Sequence, residues 1–535
     1  MDHWVQQLII LPVLIPLLCG ALLIFFSERQ HTIKLALSLL SAASLLAVAL
    51  TLLSYVDGNH WDDGVGVYLA ANWVAPFGIA LVADRLAVLM LLLTAILGLA
   101  VLCFSSARWG RVGVHYYSLF QFLLMGLNGA FLTGDLFNLF VFFEVMLAAS
   151  YGLLLHGYNA TRIRAGMQYI VINLVCSFFF LIGVALIYAA TGTLNMADIA
   201  LRVVELTAED RQLLETGAAI LAVVFLTKCA SWPLCFWLPT TYSAASPPVS
   251  AMLVLVTKVG IYAVLRLWSL VFTQEAGDSE HFGATYLLWC GLLTIAYGLI
   301  GMLASQEPGR MAGYSAIVSS GTLLAAISFS ETGLTSAALF YLVSSTLAVG
   351  TLMLLIELIE RIRTPAAAML AITMEAFAVE DDAEESAGVA MPAAMAFLGL
   401  AFIACALIIV GLPPLSGFVA KFGLFHALLT ATGALGTHGW IFLALVVVSG
   451  LAGIIALMRF GVRTFWASGA TTAPRLRVSE AMPVLSLLLV CVAMTVQAGA
   501  VSEYLQRTAQ SLHTPENYIE QVLAHEAVPN AVELP

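Results

Sequence analysis

The sequence predicts an all-α, polytopic membrane protein of about fourteen transmembrane helices, built as two inverted five-helix repeats (helices 4–8 and 9–13) with broken helices 7 and 12. Three observations carry this expectation. Hydrophobic residues make up 61% of the 535-residue chain and charged residues only 10%, with a mean hydropathy of +0.99; a soluble domain carries about 25% charge. Apolar stretches of about 20 residues recur, the length an α-helix needs to cross the hydrocarbon core. Two of these stretches are interrupted by proline, and each is the fourth of five in its set.

Residues 5–26 open the chain as an apolar run without a basic n-region or an A-x-A pattern, so a first spanning helix is expected here and not a cleaved signal. Residues 33–55 and 83–104 supply the next two spans. Between them, alternating Val65, Val67 and Leu69 predict a short hairpin in the loop from Asp57 to Phe77. Residues 114–132, 135–156, 166–190, 216–240 and 249–272 form the first five-helix set. The second set comprises 284–304, 311–329, 334–357, 393–428 and 437–461, and 481–501 is the last span. The stretch 393–428 is too long for one straight crossing, so a break is expected within it. The tail from Glu503 is polar and too charged to span. Four units follow: 1–110, 111–275, 280–465 and 466–535.

Basic residues orient the bundle. Arg29 and Lys34, Arg108 and Arg111, Arg162 and Arg164, Arg310, Arg361 and Arg363, then Arg459, Arg463, Arg475 and Arg477 all follow odd-numbered spans. Opposite loops carry Asp57, Asp62 and Asp63, then Glu275, Asp278 and Glu280. By the positive-inside rule the basic loops are cytoplasmic and both termini lie outside. The formal net charge of −11 arises largely from the tail and from the loop containing Glu380-Asp-Asp-Ala-Glu-Glu, expected to be a solvated linker. Nothing forms a basic patch for nucleic acid. The eight cysteines lie mostly in apolar segments without a CxxC pair, which predicts buried thiols and no metal site.

Four ionisable residues stand inside apolar runs: Glu144, Lys228, Lys258 and Lys421. A charge at the bilayer centre costs about 2.5–3.5 kcal/mol on insertion scales, and such residues mark ion pathways and proton relays. Pro233 follows Lys228 in Lys228-Cys-Ala-Ser-Trp-Pro, and Pro413-Pro414 precede Lys421. Proline breaks a helix, and in a membrane a break persists where protein or a wet cavity surrounds it. A buried lysine can hold a proton, release it and recover it. Glu144 is the expected counter-charge of Lys228, and Lys258 stands one helix further on. Asp135 is expected to cap a helix. His156 and His426 are lone histidines near helix ends. The sequence has no P-loop, no dinucleotide fingerprint, no H-E-x-x-H and no nucleophile elbow, so neither an enzyme nor a cofactor is expected.

Three motif regions resemble the antiporter-like subunits, a superfamily that includes the large Mrp-type sodium/proton antiporter subunits and the proton-pumping membrane subunits of complex I and related hydrogenases. They are Asp135-Leu-Phe-Asn-Leu-Phe-Val-Phe-Phe-Glu144, the segment from Lys228 through Thr257-Lys258-Val-Gly-Ile-Tyr, and Pro413-Pro-Leu-Ser-Gly-Phe-Val-Ala-Lys421. The resemblance spans roughly residues 80–465. It implies that Glu144 and Lys228 form the proton-input pair, that Lys258 relays centrally and that Lys421 is the terminal proton site. It also implies exchange of Na+ for H+ across the bacterial inner membrane, in a complex with partners of the Mrp A, B, C, E, F and G types. The alternatives are a proton-pumping subunit of a redox-driven complex, and a scaffold subunit whose charges only hold its neighbours. Members often carry histidines on helices 10 and 11. Here Ser319 and Ser345 stand at those positions, which makes these two hydroxyls, with His426, the candidate relay groups between Lys258 and Lys421.

Overall fold

The computed structural model describes residues 6–58, 60–361, 393–431, 436–465 and 476–525. The first ten of its helices are α1 (Leu11–Phe25), α2 (His31–Asp57), α3 (Arg85–Ser106), α4 (Tyr116–Leu132), α5 (Leu136–Leu154), α6 (Ala160–Thr191), α7 (Met196–Arg202), α8 (Ala208–Lys228), α9 (Trp237–Ala244) and α10 (Pro247–Val271). Then follow α11 (Ala284–Ala304), α12 (Pro308–Ile327), α13 (Thr332–Glu360), α14 (Ala393–Val410), α15 (Ser416–Thr430), α16 (Thr437–Phe465), α17 (Val478–Val496), α18 (Ala498–His513) and α19 (Glu516–Leu523). Among the described residues, ten helices are long and apolar enough to cross a membrane.

Helix starts fall where the local chemistry puts them. Asp84 caps α3 by accepting from the Ala87 amide at 3.0 Å, and Asp135 caps α5 from the Asn138 amide at 2.8 Å, each satisfying one orphan donor of a first turn. Proline opens α10 and α12, where its missing N–H costs nothing. The expected spans 216–240 and 393–428 are each two helices, α8 with α9 and α14 with α15. The hairpin reading needs correcting. A two-stranded antiparallel sheet forms, but β1 (Gly66–Leu69) pairs with β2 (Ala80–Ala83), beyond the loop assigned to it. All four residues of β2 are buried, so this short apolar run serves the sheet and α3 starts only at Arg85.

Helices α10 and α13, one from each repeat, are buried on every side, as expected of helices apolar all round. They form the centre of the bundle, and the other helices surround them.

Contacts among the loops sort them to two ends. At one end, Lys34 pairs with Glu28 at 2.7 Å, Arg477 donates to the Ala107 carbonyl at 2.6 Å and Arg361 to Glu480 at 2.8 Å. Arg459 donates to the carbonyls of Leu303 and Ser305. This is the arginine-rich end expected in the cytoplasm; Arg363, Arg475 and the acidic run 380–385 lie outside the described residues. At the other end, α18 and α19 form a strap. Tyr504 donates to the Arg85 carbonyl at 2.8 Å, Arg507 pairs with Asp57 at 3.0 Å, and His513 bonds Thr335 at 3.0 Å. Tyr518 lies under the guanidinium of Arg266, 5.1 Å from it. The polar tail is therefore an amphipathic brace across the ends of α3, α10 and α13.

Candidate ion-translocation site

At both helix breaks, freed backbone groups keep partners, from a neighbouring helix at the first and from the same helix at the second. At the first break, Ser231 bonds Thr294 of α11 at 2.9 Å and the Trp232 amide donates to the same hydroxyl at 2.8 Å. At the second, the amides of Gly411 and Leu412 share the Leu407 carbonyl at 2.9 and 3.0 Å. Gly411 has φ of +82°, the left-handed conformation that glycine adopts without steric cost.

Lys228 is the last residue of α8 and is buried. Its ammonium donates to Asn173 Oδ1 at 3.0 Å and lies over the Phe143 ring. Glu144 is half-buried and accepts a short hydrogen bond from Ser177. The direct Glu144–Lys228 pair expected from the sequence does not form. Asn173 and Ser177, one turn apart on α6, stand between the two charges, and Ser177 also donates to the Asn173 carbonyl at 3.0 Å.

Lys258 sits at the centre of α10 with no exposed surface, so it cannot reach an interface. It is brought beside the first break by Gly260, where a Cβ would come within 2.8 Å of the Phe225 carbonyl and 2.9 Å of the Cys229 amide. Its ammonium donates to Ser319 at 2.8 Å, and Ser319 is 2.9 Å from Ser345. Both hydroxyls then line a cavity shared with Ser315, Ser344, Ser449 and Lys421. The cavity leaves about 20 Å³ for water centres, room for about one water. Lys421, on α15, reaches back across the second break to the Val410 carbonyl at 2.7 Å.

The structure thus brings Lys258, Ser319, Ser345 and Lys421 into one buried line, and Glu144 and Lys228 into a second cluster bridged by α6. It does not bring His426 there: this ring is exposed on α15 and stacks on Phe422. His156 bonds the Trp109 carbonyl at 3.1 Å, and Asp135 caps α5 as expected. Sequence reading missed Asn173, Ser177, Ser315, Ser344 and Ser449, and also the partner of Arg266. Arg266 forms a buried two-point pair with Asp84 at 2.6 and 2.8 Å. The spacing of Asn173 and Ser177 at i, i+4 in an apolar run was the available signal.

Paired broken helices, buried lysines beside the breaks and a polar line through the bundle centre are the features of an ion-translocating membrane protein. The family model described as NADH:quinone oxidoreductase/Mrp antiporter, TM, matches residues 133–462. Over nearly its whole length the chain is 52% identical to the probable D-type K(+)/H(+) antiporter subunit of Rhizobium meliloti (strain 1021), covering 98% of this chain and 99% of the relative. It is 34% identical to the D-type Na(+)/H(+) antiporter subunit of Bacillus subtilis (strain 168), covering 97% and 99%. A chain in the structure of the Mrp complex from Dietzia sp. DQ12-45-1b superposes with a TM-score of 0.81 at 26% identity, covering 98% of this chain and 100% of that one. The chain belongs to the NADH:quinone oxidoreductase/Mrp antiporter membrane-subunit family.

Proposed function

We propose that the chain is the D-type, proton-translocating member of a multisubunit cation/proton antiporter in the bacterial inner membrane, exchanging Na+ or K+ for H+ together with the other subunit types. It is a transporter component and no enzyme. The observation that carries the mechanism is the buried line Lys258–Ser319–Ser345–cavity–Lys421. A proton enters at the Glu144–Lys228 cluster, where Asn173 and Ser177 couple the two charges. It passes to Lys258 and then through the two hydroxyls and cavity water to Lys421. Serine stores no proton at neutral pH, but its hydroxyl donates and accepts at once. In this reading residues 111–275 and 280–465 are the two working halves, 1–110 supports them and 466–535 closes the assembly.

The test uses inverted vesicles carrying the whole complex, with proton movement followed on addition of Na+ or K+. Lys228→Ala is expected to abolish exchange in a complex that still assembles on a native gel. Retained exchange would reduce the buried charges to structural pairs. A wild type indifferent to both cations would favour the redox-driven pump, with which the family is shared.

A further inference from the structure

The cavity at the second break has a property that a proton relay alone does not require. Two of its hydroxyls have their protons committed elsewhere. Ser315 donates to the Ala312 carbonyl at 2.8 Å and Ser449 to the Val446 carbonyl at 2.8 Å. With its one proton on its own helix, each oxygen presents only lone pairs to the cavity. Lys421, which lines the cavity, donates to the Val410 carbonyl at 2.7 Å. Val410 ends α14, where carbonyls lack intrahelical donors and the helix dipole is negative. The sole cation among the cavity's described lining residues is Lys421, and no carboxylate lines it.

We propose that the transported Na+ or K+ binds at the edge of this cavity, taking the place of the Lys421 ammonium on the Val410 carbonyl with the Ser315 and Ser449 hydroxyl oxygens as further ligands, in competition with protonated Lys421; this deepens the antiporter reading and rests on it. Neutral oxygens of this kind replace the hydration shell in carbonyl-lined filters. Freed carbonyls at half-helix C-termini coordinate cations in broken-helix transporters. The space fits a single ion stripped of water and excludes a hydrated one. Charge makes the exchange obligatory. An ammonium and a metal ion held together a few ångströms apart, without a carboxylate, repel strongly in a low dielectric. The cation therefore enters only as Lys421 gives up, to the side opposite its entry, the proton that reached it through Ser319 and Ser345. The site carries one positive charge in either state, and each turnover swaps one ion for the other.

The experiment measures initial exchange rates against Na+ and against K+ concentration in vesicles with the assembled complex, for wild type, Ser315→Ala, Ser449→Ala, the double variant and Ser449→Thr. Each lost oxygen is expected to raise the cation KM about tenfold, the worth of one hydrogen-bond-strength contact, with Vmax retained. Ser449→Thr should behave as wild type, and the wild-type KM should fall as pH rises. A readout without turnover is proton release when Na+ or K+ is added to the detergent-purified complex in weak buffer; it is expected in wild type and reduced in the double variant. An unchanged cation KM in the assembled double variant, or no proton release at saturating cation, overturns the proposal and leaves the proton relay standing. A wild type that exchanges neither cation instead overturns the antiporter reading itself.

Discussion

Lys421 binds a carbonyl eleven positions earlier in the chain, and it can do so because α14 and α15 pack face to face at the break. Gly417 permits this approach: a Cβ there would lie 1.8 Å from the Ile408 carbonyl oxygen. Gly417→Ala is expected to force the two half-helices apart, at a cost of about 1–3 kcal/mol, seen as a lower melting temperature of the purified complex and a loss of exchange. Ser319 tests the central line more gently. Ser319→Ala should leave assembly intact and slow cation-driven proton movement about 100-fold, as for the loss of a positioned proton-transfer group, while Ser319→Thr should remain near wild type in the same dye-quenching measurement. The lysines were legible because a charge in an apolar run stands out. Ser319 and Ser345 were singled out only through the family resemblance, and Ser315, Ser344 and Ser449 were not, because serines in helices commonly bond their own backbone, as Ser315 and Ser449 do here. Only the fold shows that these oxygens meet.

The broken helices were readable from proline, and the capping role of Asp135 from its place near a helix end; the Asp84 cap was not anticipated. Nor was the strap. Helix α18 is polar enough to be taken as a loose tail, and its partners, Asp57, Arg85 and Thr335, lie more than 170 residues away in sequence. Such pairings depend on which helix ends the bundle brings together. The same holds for Asp84, which caps α3 and also neutralises Arg266 on α10. Asp84→Asn keeps the cap oxygen but leaves a buried guanidinium without its counter-charge. The expected loss is about 3–5 kcal/mol, measurable as earlier chemical unfolding of the complex. The Glu144–Lys228 contact shows the opposite failure: composition suggested a direct pair, but Asn173 and Ser177 of α6 occupy the space between.

Loop contacts gather Lys34, Arg361, Arg459 and Arg477 at one end and the strap at the other, in line with the positive-inside reading. In a cysteine-free background, Asp278→Cys is expected to react with a membrane-impermeant maleimide from outside intact cells, and Arg310→Cys only in inverted vesicles; both residues are exposed. Equal labelling from one side would overturn the assigned orientation. The repeat architecture was legible at this level because hydropathy, charge asymmetry and the paired breaks agreed on one topology. What the chain alone did not disclose is which helices lie innermost, since α10 and α13 are less apolar than most of the other spans.

That placement has a consequence for leakage. The line from Lys258 to Ser345 runs from α10 to α13, whose apolar stretches are buried throughout, by way of Ser319 on α12. It is arranged as a conductor inside an insulating jacket, and the jacket is the ring of outer helices. Protons on it can escape sideways only by displacing packed side chains. Changes in acyl-chain length or bilayer tension act first on the jacket, so coupling between the two ion flows should persist across membranes of different composition.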